Sequence, residues 1–211
     1  MIFQDREDAA EKLVNKLQAY KGINPLVLAV PRGAIKMADI IARELDGELS
    51  VILVHKIGAP GNEEFAIAAV GLSGHIDRQS YVERLRISDE YLNAKAQEQI
   101  KILKARSQKY GLKEPNYTNR TIIIVDDGIA TGATLLSAIH EVKTHQPAKI
   151  IIAAPVAASS SAELIRKEVD ELVVLYETEN FYAVSQFYKD FNQVSDEEVI
   201  EVLKQSKESK H

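Results

Sequence analysis

The chain has 211 residues, 45% of them hydrophobic and 27% charged, with a formal net charge of −5 and no cysteine. That length supports one well-buried core, and the acidic balance, with no basic run of five or more, leaves no electrostatic footprint for nucleic acid. Apolar stretches fall short of a membrane span, the N-terminus is polar and acidic unlike a signal peptide, and the missing thiols exclude disulfides, thiolate metal sites and cysteine nucleophiles.

Taken in chain order, Asp5 to Tyr20 places Leu13, Val14 and Leu17 on one face of a helix capped by Asp5. Leu26 to Val30 reads as a short buried strand, followed by Pro31-Arg32-Gly33 and a helix over about 34–45. Ser50 to Val54 reads as a second buried strand, and Phe65 to Leu72 as a third apolar run ending in a Ser73-Gly74 turn. Ser88 caps a long polar helix that runs to about Tyr110 and is stopped by Gly111 and Pro115. A strand over 121–126, a helix to about Thr144, a strand over Ile150–Ala154, a short helix over Ser160–Lys167 and a last strand over Leu172–Tyr176 follow. Ser195-Asp-Glu-Glu opens a terminal helix with a capping-box-like start, and the tail 206–211 reads as frayed.

Alternating strands and helices predict an α/β fold: a mainly parallel, twisted sheet with helices on both faces, in a single domain spanning 1–211. Ligands of such sheets bind outside the carboxyl ends of the strands. Three loops of unusual composition leave such ends, 31–34, 55–64 and 126–134, and they are expected to converge there.

The segment Ile122-Ile-Ile-Val-Asp-Asp-Gly-Ile-Ala-Thr-Gly-Ala-Thr134 is the most informative in the chain. Four β-branched residues make a strand buried on both faces, Asp126 and Asp127 close it, and a small-residue loop opens the next helix. Loop amides, the Thr131 and Thr134 hydroxyls and the helix dipole suit a phosphate, while the carboxylates can accept hydrogen bonds from hydroxyls. A Walker A loop needs a Lys where Ala133 stands, and a dinucleotide fingerprint needs more glycines than Gly128 and Gly132.

The run 122–134 resembles the 5-phosphoribosyl 1-pyrophosphate (PRPP) motif of the type I phosphoribosyltransferases at every position. His55-Lys56-Ile57-Gly58-Ala59-Pro60 is similar to an Arg-Lys-Leu-Gly-Ala-Pro segment of a bacterial phosphoribosyltransferase-like family of unassigned substrate. Pro31-Arg32-Gly33, Glu64-Phe-Ala-Ile-Ala-Ala-Val70 and Phe187-Tyr-Lys-Asp-Phe191…Asp196-Glu-Glu-Val199 resemble other stretches of that family, so the likeness covers nearly the whole chain. Two departures stand out: His55 replaces an Arg, and Ala68 replaces a Gly.

The resemblance implies transfer of the 5-phosphoribosyl group of PRPP to a nitrogenous acceptor, with release of pyrophosphate, in nucleotide metabolism. It implies Mg²⁺ as cofactor, a small-molecule acceptor, a homodimer and a cytoplasmic location, with no membrane or nucleic-acid partner. Asp126 and Asp127 hold the ribose hydroxyls, directly or through Mg²⁺ and its waters. Gly128, Ile129, Ala130, Thr131, Gly132, Ala133 and Thr134 wrap the 5-phosphate. Arg32, Gly33 and Lys56 receive pyrophosphate, with a cis peptide expected between Pro31 and Arg32. The polar stretch 72–87 corresponds to a catalytic flap, where His75, Arg78, Arg84 and Arg86 are candidates for contacting PRPP. Residues about 177–205 form a small hood, in which Phe181 or Tyr182 lines the acceptor pocket; core packing or a dimer contact explains these aromatics equally well. His140 and His145 read as structural. Ala130 stands where enzymes acting on 6-oxopurines carry an Asp, so hypoxanthine and guanine fit poorly. A catalytically silent, PRPP-binding regulator on the same scaffold is the alternative.

Overall fold

A computed structural model describes residues 2–78, 82 and 84–208, apart from the side chain of Glu64. Five strands form one parallel sheet in the order β2-β1-β6-β7-β8: β1 (Leu26–Ala29), β2 (Glu48–Val51), β6 (Thr121–Val125), β7 (Lys149–Ala158) and β8 (Glu171–Thr178). The ladders are in register, with Leu26 between Glu48 and Ile122, and Ile122 beside Ile150. Alternation along β1 shows why these strands read as continuous apolar runs. Val27 and Ala29 face one core with α1 (Arg6–Leu17) and α2 (Ile35–Glu44), whereas Leu26 and Leu28 face another beneath α4 (Ala133–Lys143) and α5 (Ser159–Arg166). The terminal helix α6 (Asp196–Glu208) packs Val199 and Leu203 into the first of these cores.

The sequence-based boundaries hold within a few residues for most elements, and Asp5 caps α1 by accepting from the Asp8 amide at 2.9 Å. Three readings are corrected. The second buried strand was expected over Ser50–Val54; β2 instead ends at Val51, and Val54 opens a separate strand β3 (Val54–Ala59). The segment 55–64 is therefore no loop: β3 turns at Pro60-Gly61 into β4 (Asn62–Gly71), and β5 (Ile76–Arg78) adds a third antiparallel strand. The strand expected to stop at Ala154 also runs on through Pro155 to Ala158. Ala153 turns its carbonyl toward the end of β6, so the N–H that Pro155 lacks would point to the same side, where that strand has already finished.

The small sheet buries Ile57, Ile67 and Val70 against Leu92, Ala96 and Ile100 of α3 (Asp89–Lys109), a helix capped by Ser88 as its sequence predicts. Two polar clasps fasten this sheet to α4. His140 Nδ1 lies 2.6 Å from Asp77 Oδ2, and the hydrogen bond to Asp77 raises the imidazole pKa. Buried Glu141 accepts from the Ser73 amide at 2.7 Å and from the Ser73 hydroxyl at 2.6 Å. Gly71 leaves room for that carboxylate, since a Cβ there would sit 2.2 Å from its Cδ. His145 stacks on Tyr117 with ring centroids 4.4 Å apart. Both histidines are thus structural, as expected.

Within the stretch 72–87, residues 79–81 and 83 lie outside the described residues, as does the tail segment 209–211. Val82 is buried in the α3 core, Arg78 pairs with Asp89 at 2.7 Å, and His75, Arg84 and Arg86 are exposed.

Candidate active site

The acid pair closes β6 at the carboxyl edge of the sheet. Asp126 donates its amide to the Ala153 carbonyl at 3.1 Å, which continues the ladder one residue past the strand. Its Oδ1 accepts from the Asp127 amide at 2.8 Å. Burial pushes the Asp126 carboxyl well above the usual range, and the neighbouring Asp127 carboxylate adds to the rise. Burial also raises Asp127, but Arg6 opposes it. Both Nε and Nη2 of Arg6 lie 2.9 Å from Asp127 Oδ2, with the two side chains only 11% and 15% exposed. Of the two acids, Asp127 is the one with a described cation beside it.

Beyond the pair the chain becomes a shelf open to solvent. Ala130, Thr131, Ala133 and Thr134 are exposed, and among the described residues the amides of Ala130, Thr131 and Gly132 donate to no protein acceptor. The Ala133 amide reaches only the Thr131 hydroxyl, at 3.5 Å. Gly132 adopts φ 72°, where a side chain costs energy, and α4 begins directly after it with no side-chain cap. A helix start whose first N–H groups are unpaired and face water is a receptor for an anion. One residue of the expected cradle does not serve it. Ile129 is buried, its amide donates to Val156 at 2.9 Å, and it bridges Ala157, because β7 extends far enough to capture it.

Loop 31–34 meets the acids as expected. The Pro31–Arg32 peptide is cis. A Cβ added at Gly33 would lie 2.0 Å from Asp127 Oδ2, so only glycine lets this loop approach the carboxylate. Arg32 points to α6, its Nη1 3.7 Å from Asp196 Oδ1. Asp196 is held at about 2 by Lys109, 2.8 Å away, and by the Tyr110 hydroxyl, which donates to it at 2.6 Å.

Lys56 stands exposed on β3 and lines a cleft with Glu63, Tyr91, Lys95 and Gln99, on the α3 side of the hairpin. Lys56 is thus placed by the hairpin, whereas Arg32 and Gly33 are placed by the loop that follows β1. Of the aromatic candidates for the acceptor wall, Phe181 packs on Phe187 with centroids 5.0 Å apart, and Tyr182 is 89% exposed, its amide donating to Gln186 Oε1 at 2.9 Å.

Sequence reasoning missed the partners that hold the acids. Arg6 comes from the first turn of α1, 121 residues away from Asp127. Tyr188 donates its hydroxyl to the Asp127 carbonyl at 2.7 Å, Phe191 stacks under the Arg6 guanidinium at 3.8 Å, and Val184 covers Gly128. The only signal in the sequence is the Phe187-Tyr-Lys-Asp-Phe191 stretch, which carries the family resemblance without saying what it touches.

Paired acids followed by an amide-lined shelf at the carboxyl edge of a parallel sheet agree with what the chain resembles. The family model described as "Phosphoribosyl transferase domain" matches residues 2–192. The "Putative phosphoribosyl transferase MT0597" of Mycobacterium tuberculosis is 33% identical over 205 residues, 96% of this chain and 46% of that protein. The chain therefore spans about half the length of the curated relatives it matches. Among solved structures, TT1426 from Thermus thermophilus superposes with a TM-score of 0.85 at 39% identity, covering 96% of this chain and 98% of that one. A purine phosphoribosyltransferase from Pyrococcus horikoshii shares the fold at 20% identity with a TM-score of 0.52, over 90% of this chain and 93% of that one. Edge geometry and matched span lead to one conclusion: the chain belongs to the phosphoribosyl transferase domain family.

Proposed function

We propose that the chain binds PRPP at loop 126–134 and transfers its phosphoribosyl group to a nitrogenous acceptor, releasing pyrophosphate. The observation that carries this reading is the run of unbonded amides at Ala130, Thr131 and Gly132, opening an uncapped helix directly beyond two carboxylates. The amides and the Thr131 and Thr134 hydroxyls take the 5-phosphate. Asp126 and Asp127 take the ribose hydroxyls and offset positive charge growing on the ring as the glycosidic bond loosens. Arg32 and the amides near Gly33 take the departing pyrophosphate. Lys56, exposed on β3, is placed with them by the resemblance.

Mg²⁺ fits this donor set as an ion completed by substrate. No group of three or more candidate ligands occurs among the described residues, and Asp127 already commits one oxygen to Arg6. Asp126 and Asp127 would hold such an ion directly or through water, with the remaining ligands coming from substrate oxygens and water. When bound, it neutralises charge developing on the leaving group.

Isothermal titration with PRPP and Mg²⁺, followed by a pyrophosphate-release screen across purines, pyrimidines and small amines, tests the reading. Binding with release on at least one acceptor is expected, with hypoxanthine and guanine among the poorest because Ala130 supplies no carboxylate. Binding without release on any acceptor would favour the regulator. No binding would contradict both.

A further inference from the structure

The Arg6–Asp127 contact is built more carefully than a surface ion pair. Two nitrogens of the guanidinium converge on a single carboxylate oxygen, Oδ2, both at 2.9 Å. The third nitrogen, Nη1, donates to the Asn192 carbonyl at 2.8 Å, and the Phe191 ring lies 3.8 Å from the guanidinium carbon. The cation is thereby fixed in position and plane by the C-terminal segment before it meets the acid. On the other side, the Tyr188 hydroxyl holds the Asp127 carbonyl, and Gly33 leaves the space that Oδ2 fills. The start of α1, the pyrophosphate-side loop, the end of β6 and the segment 187–192 all meet at one carboxylate. Neither Arg6 nitrogen lies on its other oxygen, Oδ1.

We propose that Arg6 is a positioning residue of the sugar site: it pins Asp127 by Oδ2 and so presents Oδ1 to a ribose hydroxyl. The inference rests on the PRPP reading above and extends it to a residue outside the PRPP motif. A flexible carboxylate would have to be ordered when the sugar arrives; here the N-terminal helix has ordered it in advance. Lysine cannot substitute fully, because an ammonium has no planar fork to meet Oδ2, the Asn192 carbonyl and the Phe191 face together. Because Arg6 engages only Oδ2, the sugar need not displace it.

Calorimetric titration of PRPP and of ribose 5-phosphate into wild type, Arg6→Met, Arg6→Lys, Asp127→Asn and the Arg6→Met/Asp127→Asn double variant tests this. Thermal unfolding of each variant and phosphorus NMR of added inorganic phosphate serve as controls. Arg6→Met is expected to weaken both sugar ligands about 10- to 100-fold, the loss of a charge-assisted bond, while phosphate binding at the loop persists. Arg6→Lys should recover part of that loss. The double variant should bind no more weakly than the worse single one, since both changes remove the same contact. Equal weakening of phosphate and sugar in Arg6→Met, or additive losses in the double variant, would mean Arg6 only supports the fold and would overturn the inference while the PRPP reading stands. Tighter PRPP binding by Arg6→Met would also overturn it, making Arg6 a competitor. Absence of PRPP binding by wild type would remove the inference and the reading together. Should Arg6→Met not fold, Phe191→Leu loosens the same guanidinium from outside the pair, and unchanged sugar affinity there would count against it.

Discussion

The acid pair and the phosphate shelf are neighbours in sequence and opposites in construction. Ala130, Thr131, Ala133 and Thr134 are exposed, and the amides of Ala130, Thr131 and Gly132 have no protein acceptor among the described residues. Asp126 and Asp127 are half-buried, and Asp127 is held by α1, by Tyr188 and by the room that Gly33 leaves. Each construction suits the ligand proposed for it. A phosphate has several equivalent oxygens and needs only convergent donors, so a local loop suffices. Two ribose hydroxyls require acceptors at set places, and burial alone would drive both carboxyls toward the neutral form, so a cation and a rigid surround are needed.

That contrast can be broken most sharply at Asp127. Asp127→Asn leaves Arg6 facing a neutral amide, and PRPP affinity should fall about 10- to 100-fold or more by calorimetry, with reduced stability to urea. Retained affinity and turnover would place the sugar contact elsewhere. Gly33→Ala comes next: its methyl would occupy the position of Oδ2, so about 1–3 kcal/mol of stability should be lost in urea unfolding, together with sugar binding. Gly132→Ala tests the shelf alone. A left-handed residue gains a side chain, costing about 1–2 kcal/mol, and phosphate binding should weaken while the Arg6–Asp127 contact survives. Tyr188→Phe removes one bond to the Asp127 carbonyl and should cost about 1 kcal/mol or less, with an effect on sugar but not on phosphate.

The smallest expected effect lies in the clasp beneath the small sheet. Hydrogen bonding to Asp77 raises the His140 pKa on folding, so the clasp contributes fully below about pH 6.5, the unfolded histidine value. The contribution is lost as pH rises through the higher folded-state value. Because the imidazole is partly exposed, the difference should stay under about 1 kcal/mol. Hydrogen exchange of β5 amides at pH 5.5 and 8.5, in wild type and His140→Gln, would read it. Identical pH dependence in the two proteins would remove the clasp.

Local signals explain what was legible in the sequence. The order of helices and strands of the parallel sheet, the Asp5 and Ser88 caps and the loop 126–134 all follow from contiguous residues. What was not legible depends on pairing at a distance. The segment 55–64 reads as loop because Gly58, Pro60 and Gly61 interrupt it, yet β3 pairs with β4 on both sides of a register shift at Gly58. Ile129 reads as part of the cradle until β7 is seen to reach it. Phe181 reads equally well as a base-stacking ring or as packing, and its contact with Phe187 shows only in the folded chain. Arg6 looks like any exposed arginine in the first turn of a helix, and only the folded chain brings it to Asp127.

A crystal structure of the protein with ribose 5-phosphate tests the central claim most directly. The phosphate is expected against the amides of Ala130, Thr131 and Gly132, and the sugar hydroxyls within hydrogen-bond reach of Asp126 and of Asp127 Oδ1, with Arg6 still on Oδ2. Sugar bound away from the acid pair, for instance in the cavity between Tyr117, Glu141 and Lys104, would contradict it.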